Sequence, residues 1–84
     1  SDQAPFPVVT VVDDASNSDT TFDTDLSETA TDHHVGAYLA FFTGSLAGQV
    51  RKITGYNGTT KFLTFTTGFT AEPAAGDKAY LVNA

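Results

Sequence analysis

The chain predicts an all-β fold: a small antiparallel β-barrel or sandwich of about six short strands with an extended N-terminal arm. Three observations carry the expectation. Apolar and β-branched residues recur with a period of two rather than 3.6, as along half-buried strands. Turn signals stand between these runs, most plainly Asn57-Gly58 and Gly76-Asp77. No stretch shows the i, i+3, i+4, i+7 apolar spacing of an amphipathic helix.

The 84 residues read as one β domain, residues 1–84, with residues 1–7 as its arm. In that arm Pro5 and Pro7 flank Phe6 and hold the backbone extended, so it should lie along a surface or form an edge. Residues 8–12, VVTVV, form a β-branched strand, and DDASNSD at 13–19 is a loop of residues that bond their own backbone. In 20–26, Phe22, Thr24 and Leu26 point one way and Asp23 and Asp25 the other. Segment 27–34 is polar, with one helical turn at most over Ser27-Glu28-Thr29-Ala30. Strands are then expected at 37–42, 49–56, 61–66 and 78–82.

The connections carry specific expectations. Asn57-Gly58 is read as a primed two-residue hairpin turn, which needs positive φ at both central residues. Gly44 and Gly48 bracket a tight connection, and Asp77 caps the turn that starts the last strand. Val50 and Ile53 have opposite parity, so a bulge near Arg51-Lys52 is expected if both are core. Arg51 is expected to pair with an acid such as Asp77 or one within 13–32.

A small domain buries only about 60% of the surface its unfolded chain exposes and leans on staples or partners. Cysteine is absent, which removes disulfides and thiolate metal sites and leaves oligomerisation. Strand 37–42 is apolar on both faces, with Ala37, Leu39 and Phe41 on one and Tyr38, Ala40 and Phe42 on the other. Phe62 likewise opposes Leu63 and Phe65. Strand ends or the N-terminal arm would cover Tyr38 and Phe62, but a subunit interface is the favoured reading, because aromatic clusters form interface cores. The candidate interface is therefore Tyr38, Phe42 and Phe62, with Arg51 beside them.

Charge is divided along the chain. Up to Phe42 there are eight acids and no Lys or Arg; after it Arg51, Lys52, Lys61 and Lys78 face only Glu72 and Asp77. The halves carry −8 and +2, together the formal −6. No basic footprint for nucleic acid is present. No apolar run approaches the roughly 18 residues of a membrane-spanning helix. The charge balance reads first as a solvated surface, and as the sharper alternative an acidic half that meets the basic half of a neighbouring copy, setting register more than affinity.

Catalytic patterns are weak throughout. Ser45 in Gly44-Ser45-Leu46-Ala47-Gly48 sits one place too early for a nucleophile elbow. His33 and His34 are adjacent, which on a strand sends them to opposite faces, and they read as loop histidines that titrate between pH 5 and 8. Asp13, Asn17 and Asp19 offer oxygen at loop spacing but lack the glycine and bidentate acid of a calcium loop. The expectation is a non-enzyme with no cofactor, no metal and no catalytic residues.

The string FTGSLAGQVRKITGYNGTTKFLTF, followed by Pro73 and Gly76-Asp77, resembles a recurring β module of tailed-bacteriophage virion proteins. The matching positions are Gly36, Leu39, Phe41, Gly44, Leu46, Ala47, Gly48, Gln49, Arg51, Ile53, Tyr56 and the run from Pro73 through Ala74, Ala75 and Gly76 to Asp77. The lead-in TTFDTDLSETATDHHVG is similar as well, while Thr43 stands where the module has serine. The resemblance implies a structural virion protein on the particle exterior, foremost a capsid decoration (cement) subunit. Its implied partners are other virion proteins such as the capsid and copies of itself, a trimer among the forms open to it. The alternative is a tail-fibre or appendage module with a glycan- or receptor-binding role. Tyr38, Tyr56 and Tyr80 would serve sugar stacking, but the chain has no Trp, the broadest platform.

Overall fold

The computed structural model describes residues 6–83, and these residues are all β with turns, without a helix. Seven short strands form: β1 Val8–Thr10, β2 Thr21–Asp23, β3 Tyr38–Phe41, β4 Val50–Lys52, β5 Gly55–Tyr56, β6 Phe62–Thr64 and β7 Lys78–Val82. They make two antiparallel sheets, a four-stranded one ordered β1-β7-β3-β4 and a three-stranded one ordered β2-β6-β5. Of the two expected forms, the sandwich is the one the chain adopts. The expected arm falls mostly on residues outside the described range; Phe6 is exposed, and the Pro7 carbonyl accepts the Leu81 amide at 2.9 Å, extending the β1–β7 pair.

Alternation along the strands builds the core. Val9, Leu39, Phe41, Ala79 and Leu81 point inward from the four-stranded sheet; Phe22, Tyr56 and Leu63 do so from the other. Phe65 and Phe69 follow β6 and fill the space between, with Phe22–Phe65 stacked at 5.3 Å and Phe69 edge-on to Phe41 at 5.0 Å. Burying each such side chain contributes about 1.5–3 kcal/mol, which makes this aromatic cluster the main cohesive element.

The sheets meet at two corners. At one, Val11 bridges Thr24, and the Val12 and Asp25 amides donate to the Asp23 and Thr10 carbonyls. At the other, the run expected as one strand over 49–56 divides into β4 and β5. The Ile53 amide donates to Ala37 at 2.8 Å, in the four-stranded sheet, and the next amide, Thr54, donates to Thr64 at 2.9 Å, in the three-stranded one. The break in parity is real but lies between Ile53 and Tyr56, both buried. Val50 is 49% exposed, so the premise of a bulge at Arg51-Lys52 does not hold.

Asn57-Gly58 turns the chain without a primed turn. Gly58 does not take a positive φ; Lys61 does, at 69°. Asn57 Oδ1 accepts the Thr59 and Thr60 amides at 2.8 and 3.0 Å, and the Asn57 carbonyl accepts the Lys61 amide. The asparagine side chain thus winds a longer loop and moves the left-handed residue to its end. The Gly76-Asp77 turn is as expected: Gly76 has φ 89°, and Asp77 Oδ2 accepts the Ala74 amide at 3.0 Å.

Candidate interaction surface

The outward residues of the four-stranded sheet follow from its register. Val8 opposes Tyr80, Tyr80 opposes Ala40, and Ala40 opposes Val50, a row crossing all four strands on one face. The next row joins Val82, Tyr38 and Lys52. On the other side Phe42 stacks on Tyr80 at 4.2 Å, and Lys78 Nζ donates to Thr10 Oγ1 at 3.0 Å. Phe6 adds its ring 6.2 Å from Tyr80.

This face concentrates what a free surface normally scatters. The exposed large hydrophobic residues are Phe6, Val8, Val12, Val35, Tyr38, Phe42 and Val50, and all but Val12 and Val35 lie on it or at its rim. Single exposed apolar residues are ordinary, whereas a contiguous patch marks an interaction site. The strands of this sheet also hold Arg51, Lys52 and Lys78 and no acid. The strands of the three-stranded sheet hold Asp23 and no base.

The four residues expected at the interface divide between locations. Tyr38 and Phe42 share the outer face, 36% and 38% exposed. Phe62 is half-buried on the outer side of the other sheet, opposite Asp23 in the β2–β6 register. Arg51 opposes Leu39 and so faces inward at the sheet edge. There its guanidinium lies 5.4 Å over the Phe69 ring, and Nε and Nη1 donate to the Gly68 and Val50 carbonyls at 2.9 Å. It does not pair with Asp77, whose carboxylate is held at its own turn and packs against Gly44. Val8, Val50 and Val82 join this surface beyond the expected set; the parity of Lys78, Tyr80 and Val82 against buried Ala79 and Leu81 is the sequence signal that points to it.

Segment 27–36 folds over the free edge of β5. Asp32 exchanges bonds with Tyr56, its amide donating to the Tyr56 carbonyl at 2.7 Å and its Oδ1 accepting the Tyr56 amide at 3.3 Å. The Tyr56 hydroxyl donates to the Glu28 carbonyl at 2.7 Å, and the Lys61 ammonium donates to the Ser27, Glu28 and Gly58 carbonyls. His34 is buried edge-on to Tyr56 at 4.7 Å and to His33 at 4.8 Å, its Nε2 without a hydrogen-bond partner among the described residues. Burial chiefly, and the neighbouring His33 next, lower its pKa against a smaller opposing pull from Glu28. Burial and Glu28 raise that of Tyr56. His33 Nε2 lies 3.8 Å from Glu28 Oε1.

Asn17 Oδ1 accepts the Asp23 amide at 2.9 Å and its Nδ2 donates to Val12, which spends the asparagine on holding the loop. Among the described residues no three His, Cys, Asp or Glu side chains group as metal ligands. Ser45 is exposed in the loop after Gly44. Comparison with protein-family models, with curated proteins and with solved structures finds no match to this chain.

Proposed function

We propose that this chain is a non-enzymatic structural subunit of a bacteriophage virion, a capsid decoration subunit on the particle exterior, which joins its assembly through the outer face of the four-stranded sheet. The observation that carries the reading is the row Val8–Tyr80–Ala40–Val50 with Tyr38 and Phe42 beside it: contiguous and apolar, with Val8, Val50, Tyr38 and Phe42 exposed and Tyr80 and Ala40 half-buried, where a free subunit gains nothing from apolar residues. The resemblance of residues 20–77 to phage virion modules supplies the class of assembly. The sheet beneath is rigidly backed by the aromatic core, which suits a preformed docking face.

The Phe42–Tyr80 stack, with Phe42 exposed and Tyr80 half-buried, also favours a second reading, an appendage module that stacks a sugar ring. Stoichiometry separates them. Titrated onto empty capsids of the phage that encodes it, the chain should saturate at a fixed ratio per capsid, and Phe42→Asp should weaken that binding by more than about 1 kcal/mol, as for truncation of an interface anchor. A chain that leaves capsids bare but binds host cells, with binding competed by free sugar, would replace the decoration reading with the appendage one.

A further inference from the structure

We infer that the outer face of the four-stranded sheet is covered by a second copy of this chain, docked head to tail through its three-stranded sheet. The inference rests on the reading of that face as a docking surface and names its occupant. Charge distinguishes the possible arrangements. The face presents Lys52 and Lys78 around its apolar rows, and its strands contain no acid. A two-fold pairing of this face with itself would set these lysines against one another with no carboxylate between, the like-charge contact that interfaces avoid.

The opposite sheet offers the complement. Its outer side presents half-buried Phe62 beside half-buried Asp23, with Thr21 paired to Thr64; Asp25, just beyond β2, is engaged at the corner, its Oδ1 accepting the Thr10 amide at 2.8 Å. The other two bases do not compete for these acids, because Arg51 is spent on Phe69 and the Gly68 carbonyl and Lys61 on the carbonyls of the 27–36 segment. One copy therefore carries both halves of a contact: an apolar face with the Lys52 ammonium at its edge and Lys78 reaching to Thr10 Oγ1, and an aromatic residue, Phe62, beside the Asp23 carboxylate. The outward parity of each strand puts them on different sheets, so one molecule cannot satisfy itself, whereas a second copy can.

Size sets the strength. Four strands about 4.8 Å apart and up to five residues of about 3.3 Å each give a footprint on the order of 300 Å². A stable pair of free proteins covers about 800 Å² on each partner. Two free copies therefore associate weakly, and copies already held side by side on a surface associate far more readily through raised effective concentration.

The test uses charge reversal in the whole chain, read by sedimentation equilibrium up to millimolar protein at low salt. Lys52→Glu spoils the basic face and Asp23→Lys the acidic one; both positions are on the outer faces, and circular dichroism checks that each variant folds. Each variant alone should self-associate at least fivefold more weakly than the parent chain. Mixed, they should associate again as alternating copies in a 1:1 ratio, because each face of one variant meets the opposite charge on the sheet of the other; the double variant should recover self-association by the same swapped contact. A parent chain that stays monomeric at millimolar concentration overturns the inference, as does a mixture that fails to complement. If such a monomeric chain still saturates capsids and Phe42→Asp abolishes that, the face binds the capsid itself: the decoration reading stands and the second copy is excluded.

Discussion

At the scale of single residues, glycine is used in this chain for two different physical reasons. Gly58 has ordinary backbone, yet a Cβ there would overlap the Thr29 carbonyl, because segment 27–31 lies directly on the β5–β6 loop. Gly76 is the reverse: its φ of 89° disfavours any side chain, while nothing lies within 4 Å of where a Cβ would stand. Gly58→Ala should therefore force a backbone shift and cost about 1–3 kcal/mol, as overpacking does. Gly76→Ala should cost about 1–2 kcal/mol from the left-handed conformation alone. Denaturant midpoints at constant m-value measure both. Gly76→Asn separates the causes further, since asparagine tolerates positive φ and should recover part of the loss. Asn57-Gly58 announces a turn correctly in the sequence but not its geometry. The glycine answers to a segment 27 residues upstream of it in the chain, through Thr31 Oγ1 and the Thr29 carbonyl, and local patterning carries no sign of that contact.

At the scale of elements, segment 27–36 acts as a strap that ends the three-stranded sheet. It pairs with β5 through Asp32, is pinned by the Lys61 ammonium, and buries His34 against Tyr56. A chain read by periodicity leaves this stretch as polar loop, because its bonds are made by side chains and single amides rather than by a ladder. Its histidine gives the strap a pH dependence of definite sign. Burial holds the His34 pKa below the ordinary 6.5, so the unfolded chain takes up a proton more readily than the folded one. Stability contributed by neutral His34 is then present above pH 6.5 and is lost as pH falls below it. The facing groups are His33, the Glu28 carboxylate and the Tyr56 ring; Glu28 favours the charged form but is the smallest of the three influences on His34. Melting temperature should fall between about pH 7.5 and about pH 5.5, and His34→Phe should flatten that dependence. A slope equally steep in His34→Phe would remove His34 as its source. The division of 49–56 into β4 and β5 is another element the sequence half-discloses. Parity read at Val50 and Ile53 places a bulge at Arg51-Lys52; Val50 is exposed, and the pairing partners, Ala37 on one side and Thr64 on the other, place the break after Ile53 instead.

At the scale of the whole molecule, two sheets of unlike chemistry share one core. The all-β class, the strand positions and most of the core were legible, because burial imposes period two on every strand. The outer face was legible only in part: Tyr38 and Phe42 announce themselves on a strand apolar on both sides, whereas Val8 lies in a run of valines and Val50 invites a core reading until pairing fixes the side of each. Phe62 and Arg51 leave the group for the same reason, since register and not residue type decides which face a side chain joins. The distinction predicts a contrast between neighbours in sequence. Phe41 is 3% exposed and touches Phe22 and Phe69, while Phe42 is 38% exposed and rests on Tyr80 alone among the core-sized rings. Phe41→Ala should cost about 3–5 kcal/mol, as expected for emptying an aromatic core site. Phe42→Ser and Val50→Thr should each change stability by less than about 1 kcal/mol. The same two surface variants should lower binding of a hydrophobic dye to the folded chain, which Phe41→Ala should not. Equal losses of stability at Phe41 and Phe42 would mean that the aromatic stack on the outer face belongs to the fold and not to a partner.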